Sequence, residues 1–485
     1  MSIATDRNSR NRDQAGIGYW MGRVLVERRQ VEAAFAPDPV HDFRVALRRC
    51  RSIAEGFREI DPDPMWSRMR ASSKTVFAAF GELRDAQVLR EWIAKLGAGS
   101  PAVSTRLDGY CAAREQELKV QAATALHSFD ERAWSRWAEA LQARARRLPP
   151  GGAVFQVLAL QKWEAARRLH SLALRNRSRI GYHRLRIGIK RFRYLVENFL
   201  PAHHARWSKD LKCLQDILGE VHDLDVLWQT ACAQNAFATS DERNHWQEAI
   251  RRERAQRLAI YRERMVGRNS LWQQWRDGLP SGNALRRAVA GRFAGWASFQ
   301  RVDKVHTARV LRFSLAMFDA LSKAGLLTCG DLDGVPSRDL LAIAASVHEA
   351  GRKKGAASHP KRTRRMLAAL DPPPGWTKIH LQAMALVARY HRGALPSTSH
   401  RPYRSVPQKA RRMVDELAAV LRLAVAFDSR HDRSIVGVRL SRQTGVILIR
   451  AAGYRDRTVL AQRIAAARHL LETVTGLPVV VTADN

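Results

Sequence analysis

Apolar positions recur at helical spacing along almost the whole stretch from about 17 to 268, with few β-branched runs between them. Pro37-Asp38-Pro39, Asp61-Pro62-Asp63-Pro64, Pro149-Pro150-Gly151-Gly152 and Pro201 punctuate that pattern and predict helix boundaries. Proline suits a first helical turn and breaks an interior, because its φ is fixed and it has no N–H. Pro149-Pro150-Gly151-Gly152 also separates two related stretches, so the pattern predicts two helical bundles, 13–148 and 152–278, related by duplication. Gly278 to Gly282, with Pro280 between them, is the next expected boundary. A further domain, 300–485, is expected beyond it, helical over 304–429. There the character changes: 434–441 and 446–450 read as two strands of a hairpin around Gln443-Thr444-Gly445. A helix near 456–476 and a strand at 477–482 complete a small α+β cap over 434–485. The predicted fold class is mainly α.

The duplication is visible residue by residue. His41, Arg44, Arg48, Arg49 and Arg51 recur in order as His183, Arg186, Lys190, Arg191 and Arg193. Further on, Lys74 and Gly81-Glu82-Leu83-Arg84-Asp85 are matched by Lys212 and Gly219-Glu220-Val221-His222-Asp223. On a helical wheel with His41 at zero, Arg44, Arg48 and Arg51 fall at about 300°, 340° and 280°. Phe43, Leu47, Cys50, Ala54 and Phe57 fall between about 160° and 240°. His183, Arg186, Lys190 and Arg193 oppose Leu185, Ile189, Phe192, Val196 and Phe199 in the same way, while Arg49 and Arg191 sit to one side. Each helix therefore packs by one face and shows a basic stripe on the other. A solvated helix face normally mixes signs at i,i+4 and has no reason to repeat residue types. Four stacked cations with no intervening acid point instead to an anionic ligand. Arginine grips two oxygens at once, lysine supplies a point charge, and histidine a donor that a phosphate would keep protonated. Glu82, Asp85, Glu220 and Asp223 either orient the arginines or terminate and pack a helix. A metal role for His222-Asp223 is set aside, since the matched position is Arg84, which cannot be a metal ligand.

Charge sharpens this picture. Lys plus Arg number 82 against 46 Asp plus Glu, a formal net charge of +36. Such an excess repels itself and calls for an anionic partner: nucleic acid, an anionic membrane surface or inorganic polyphosphate. No apolar run is long enough for a spanning helix. Five scattered cysteines lack any C-x-x-C pairing, which fits a reducing cytoplasm. The expected location is cytoplasmic, in association with polyphosphate granules if polyphosphate is the ligand.

H-x-x-R-x-x-x-[RK]-R-x-R, duplicated and followed by Lys and Gly-Glu-x-x-Asp, resembles the CHAD family, the conserved histidine α-helical domain, over about 13–278. The resemblance implies two pseudo-twofold-related helical bundles whose basic faces line a groove for inorganic polyphosphate. It assigns His41, Arg44, Arg48, Arg49, Arg51 and Lys74 to one half-site, and His183, Arg186, Lys190, Arg191, Arg193 and Lys212 to the other. Arg84 would join the first half, where the second has His222.

In the C-terminal domain His306, His348-Glu349 and Asp428 follow the H…HD…D order of metal-dependent phosphohydrolases, with Glu349 in place of Asp; His359 and His391 lie where some such enzymes hold a second metal. A buried hydrogen-bonded network is the other reading of the same residues. Val347-His348-Glu349-Ala350-Gly351-Arg352, Ser358-His359-Pro360 and 388–396 resemble the C-terminal HD-like domain of the exopolyphosphatase/guanosine pentaphosphatase family. That resemblance implies a degenerate HD site, with phosphatase chemistry in an actin-like domain that no part of this sequence fits. The leading expectation is a non-enzymatic polyphosphate-binding protein with no catalytic residues and no cofactor. One rival is a divalent-metal phosphohydrolase acting on polyphosphate or a nucleotide through His306, His348, Glu349 and Asp428. The other is a nucleic-acid binder, for which no recognition motif or aromatic platform is seen. Lys353-Lys354 and Lys361-Arg362-Thr363-Arg364-Arg365 either extend a polyphosphate path or form a solvated basic loop.

Overall fold

The computed structural model describes residues 16–33, 35–97, 100–300, 302–352, 359–429, 431 and 433–484. Lys353, Lys354 and Ser358 lie outside them. The chain divides between Pro280 and Ser281 into two compact units.

The first half of unit one runs α1 (Ile17–Ala33), α2 (Pro37–Arg58), α3 (Met65–Ser72), α4 (Lys74–Leu96), α5 (Pro101–His127) and α6 (Glu131–Ala145). The second half runs α7 (Ala153–Asn176), α8 (Arg179–Phe199), α9 (Pro201–Ala233), α10 (Ser240–Met265) and α11 (Leu271–Asp277). Pro37 and Pro201 occupy first turns, as their missing N–H allows. The helices α1 and α2, and likewise α7 and α8, are packed pairs, and α4–α5 and α9–α10 repeat a second pairing. One difference separates the copies: α3 and α4 break at Ser73, whereas α9 runs unbroken through the matched position for 33 residues.

The halves share their interior. Leu89, Trp92, Ile93, Leu107 and Cys111 from α4 and α5 form one cluster with Leu224, Leu227, Trp228, Trp246 and Ile250 from α9 and α10. A second contact joins α2 to α8, where Phe57 meets Phe199 edge-on with ring centroids 5.5 Å apart. Phe199 in turn stacks on Phe155 at 4.2 Å. These buried rings help to fix how the two basic helices are set against one another.

Unit two begins with α12 (Gly282–Ser298), ahead of the expected start near 300, because this helix packs on a later helix of the same unit. Then come α13 (Lys304–Lys323), β1 (Asp331–Leu332), β2 (Val335–Pro336), α14 (Ser337–Val347), α15 (His359–Ala368), α16 (Lys378–Arg389), α17 (Arg401–Arg404) and α18 (Gln408–Phe427). The sequence pattern did not foretell the small hairpin β1–β2. Its signal is Asp333-Gly334, whose φ values of 47° and 86° are those a tight two-residue turn requires. The cap is β3 (Gly437–Gln443), β4 (Val446–Ala452), α19 (Val459–Thr475) and β5 (Val479–Ala483). β3 pairs with β4 antiparallel and β4 with β5 parallel, Ile447 opposite Val479. At the centre, α18 buries thirteen of its residues, among them Met413, Leu417, Leu421 and Phe427, and α13, α16 and α19 pack around it.

Candidate functional site

The repeated basic segments lie on α2 and α8, which bury the two apolar stripes read from the sequence: Phe43, Leu47, Cys50, Ala54 and Phe57, and Leu185, Ile189, Phe192, Val196 and Phe199. Above these stripes the two copies bring four cations together. Lys190 lies within electrostatic reach of Arg186 from its own helix and of Arg48 and Arg44 from α2. Burial first, and then these three guanidiniums, bring the Lys190 ammonium down to about 8. Positive charge thus gathers at a partly desolvated place, with Asp85 the carboxylate that opposes the shift.

The acids nearest this cluster come from the Gly-Glu-x-x-Asp segments. These segments lie inside α4 and α9, so they do not end helices; they place Asp85 and Asp223 opposite the cations. Asp85 faces Arg44, Arg186 and Lys190. The Asp223 carboxyl is raised to about 6, chiefly by burial, with Asp85 and Glu220 adding to the shift and Arg186 opposing it. The glycines of the same segments lie beside the guanidiniums at ordinary contact distance. Arg44 Nη1 donates to the Gly81 carbonyl at 3.3 Å, and a Cβ at Gly219 would stand 4.0 Å from Arg186 Nε. That Nε is buried and, among the described residues, has no hydrogen-bond partner. Beside it, ring nitrogens of His183 and His222 approach to 3.4 Å. Burial, followed by Arg186, His183 and Lys190, lowers His222 to about 4.

The other expected ligands are placed differently. Arg49 pairs with Glu197 and reaches Asn198 Oδ1 at 3.2 Å, and Arg191 pairs with Glu55 at 3.6 Å. Arg51 donates to the Arg70 carbonyl at 2.6 Å and to Ser73 Oγ at 3.0 Å, fastening the α3–α4 break, and lies over the Phe77 ring. Arg193 stands 3.8 Å from Glu197, and Arg84 donates to Glu91 at 3.0 Å. His41, Lys74 and Lys212 are exposed. Tyr194 escaped the sequence reading; the Arg48 guanidinium lies 5.6 Å from the centre of its ring. A depression of about 460 Å³ adjoins the cluster between α4 and α9, lined by Arg186, Lys95, Trp92, Glu91, Asp216 and Asp223 among others. That side is acidic, so the cationic surface is bounded by carboxylates rather than continuous.

In unit two the residues of the expected H…H-E…D series do meet. His306 lies on α13, His348 and Glu349 follow α14, and Asp428 follows α18. Ligand atoms of His306, His348 and Glu349 lie within 4.8 Å of one another, all three residues being buried. Asp428 stands behind them: it accepts from His306 Nδ1 at 2.7 Å and from Arg309 Nε at 2.7 Å. His359 and His391 form a neighbouring pair, Nε2 to Nε2, at 3.1 Å. A cavity of about 440 Å³ opens beside the cluster, lined by His306, Glu349, His391, Arg392, Arg422 and Arg463 among others. Arg392 lies within the stretch 388–396, whereas Arg422 and Arg463 carried no motif signal, because they come from separate helices and only folding brings them to it.

Comparison with known proteins places two matches on these units. Residues 22–232 match the CHAD domain family, and residues 294–448 match Ppx/GppA phosphatase, domain III. Among solved structures, the crystal structure of the CHAD domain from the plant Ricinus communis is 24% identical, covers 54% of this chain and 88% of its own, and has a TM-score of 0.37. No curated protein matches the chain.

Proposed function

We propose that this chain, which joins a region similar to the CHAD domain to one similar to domain III of the Ppx/GppA phosphatases, binds inorganic polyphosphate on its first unit. The observation that carries the reading is the shared space of Arg44, Arg48, Arg186 and Lys190, with the Arg186 Nε donor buried and unpaired among the described residues. Cations this close destabilise one another, and a buried donor without an acceptor costs free energy; an anion offsets both. Polyphosphate suits the arrangement because it is a run of identical charged units with no bases to read. It also has no direction, so matched half-sites contributed by a duplicated fold can meet the same chain equivalently. A single nucleic-acid strand has a polarity that such a pair does not match. The activity in this reading is binding rather than hydrolysis, and association with polyphosphate granules would follow from it.

The test is a titration of long-chain polyphosphate against single- and double-stranded DNA at matched charge, over a series of salt concentrations. Log affinity for polyphosphate is expected to fall linearly with log salt. Arg48→Ala and Lys190→Ala are each expected to lower the affinity and to reduce that slope by about one. Equal or tighter binding of DNA, or unchanged affinity in both variants, overturns the reading.

A further inference from the structure

The second unit holds a cluster whose hydrogen-bond protons are already committed. His348 Nδ1 lies 2.8 Å from the Ala345 carbonyl oxygen, which can only accept, so Nδ1 carries the proton and Nε2 presents a lone pair. His306 Nδ1 lies 2.7 Å from Asp428 Oδ2, while Asp428 Oδ1 accepts from Arg309. This carboxylate is ion-paired and accepting, so His306 also donates from Nδ1, and the neutral ring presents a lone pair at Nε2. The two Nε2 atoms face each other at 3.3 Å. His306 is 2% and His348 0% exposed. Two lone pairs at that distance repel unless a positive charge lies between or beside them, and the gap is too short for a bridging water. Glu349 completes the set: Arg352 takes its Oε1 at 2.9 Å, and its Oε2 is buried with no partner among the described residues.

We propose that His306 Nε2, His348 Nε2 and Glu349 Oε2 hold one divalent transition-metal ion. Two imidazole nitrogens on a tetrahedral zinc stand about 3.4 Å apart, given bonds of about 2.0–2.1 Å; the observed separation is 3.3 Å. Both rings are already fixed from behind, one by the Ala345 carbonyl and the other by Asp428 with Arg309, the arrangement that orients ligating histidines. Two nitrogens and one carboxylate oxygen favour zinc, cobalt or a similar ion over magnesium or calcium, which prefer oxygen. Asp428 serves as an orienting group, so the ligand set departs from an H…HD…D series in which that aspartate would bind the ion. His306 and Glu349 line the same cavity as Arg392, Arg422 and Arg463, whose charges would suit a phosphate oxyanion as an exchangeable further ligand.

The proposal stands on the second unit alone and is independent of polyphosphate binding by the first. The chelator-stripped full chain is titrated with Co²⁺, with ligand-field absorption and calorimetry as readouts, followed by displacement with Zn²⁺. One ion per chain with bands of a four- or five-coordinate site is expected. Glu349→Gln, which keeps size and shape, and His348→Ala should each weaken binding at least tenfold. Asp428→Asn should weaken it by about 10- to 100-fold through loss of orientation, and Lys190→Ala should leave it unchanged. Inorganic phosphate should shift the Co²⁺ spectrum of the wild type and fail to do so in Arg463→Ala. Absence of stoichiometric Co²⁺ and Zn²⁺ binding in the wild type, or binding that survives both Glu349→Gln and His348→Ala, overturns the proposal and assigns the gap to a shared proton.

Discussion

Arg49 on α2 donates to Glu197 on α8, and at the matched positions Arg191 on α8 pairs with Glu55 on α2 at 3.6 Å. The two basic helices are thus tied by reciprocal ion pairs, with Asn198 adding a bond from Arg49 Nη1 at 3.2 Å and donating to Ser52 Oγ at 2.9 Å. One cation of each basic segment therefore holds the halves together, while Arg44, Arg48, Arg186 and Lys190 gather at the proposed ligand surface. Glu197 is largely buried, so removing its charge leaves Arg49 without its ion pair. Glu197→Gln is expected to cost about 2 kcal/mol of stability, measured by urea unfolding, with polyphosphate affinity little changed. Arg48→Ala should show the opposite division, a loss of affinity with little loss of stability. A drop in affinity for Glu197→Gln as large as that for Arg48→Ala would mean that the pair is part of the ligand surface.

Proton uptake should accompany anion binding at the cluster. In the unliganded fold Lys190 titrates near 8, below its ordinary value, and Asp223 near 6, above its ordinary value. A polyanion favours the charged lysine and the neutral carboxyl, so both groups bind protons more tightly in the complex. Affinity is therefore expected to decline as pH rises through 6, where Asp223 ionises, and again through 8, where Lys190 loses its charge. Calorimetry in buffers of different ionisation enthalpy would count the protons taken up on binding. Lys190→Arg should abolish the decline near 8 while leaving the one near 6. For folding itself the sign reverses at the lysine: its charged form is disfavoured in the native state, so this group's contribution to stability improves as pH rises through 8.

What was legible in the sequence follows from the range over which each interaction acts. Helix period and proline punctuation are local, and Pro37 and Pro201 begin helices as expected. The duplication is also readable, and the wheel separated Arg44 and Arg48 from Arg49. It could not say why they differ, because Glu197 lies far along the chain and only tertiary packing brings it to Arg49. The break at Ser73 was hidden for the same reason: its support is Arg51, reaching across from α2. In unit two, residue types alone grouped His306, His348, Glu349 and Asp428, yet whether Asp428 would be a ligand or an orienting group depends on which imidazole nitrogen it meets. The helix over Gly282–Ser298 was missed because Gly291 and Gly295 weaken its helical signal.

Gly56 lies where the two halves pack closely, against Phe199. A Cβ there would stand 2.5 Å from Phe199 Cε2, and that ring cannot yield easily, stacked as it is on Phe155 at 4.2 Å. Gly56→Val should destabilise the first unit by about 1–3 kcal/mol through overpacking, against the small gain that a glycine replacement in a helix would otherwise bring. Thermal unfolding of the variant beside Gly56→Ala checks this: the larger side chain should be the worse of the two. Equal stability of both with the parent would show that α2 and α8 can separate at no cost.

Glu416, 5% exposed on α18, organises the approach to the small hairpin of unit two. Its oxygens accept from the Thr328 amide at 3.1 Å and the Cys329 amide at 3.0 Å, and from the Thr328 hydroxyl. Both oxygens are used, so an amide at this position keeps one acceptor and turns an NH₂ toward the backbone donors. Glu416→Gln is expected to cost about 2 kcal/mol, because a buried donor loses its charged partner and faces another donor. The segment it anchors leads through β1 and β2 into α14, which carries the chain to His348. Hydrogen exchange should therefore report faster opening of Thr328 and Cys329 together with the first turn of α14. Protection at these amides equal to the parent's would show that the loop is held by its own turn rather than by the carboxylate.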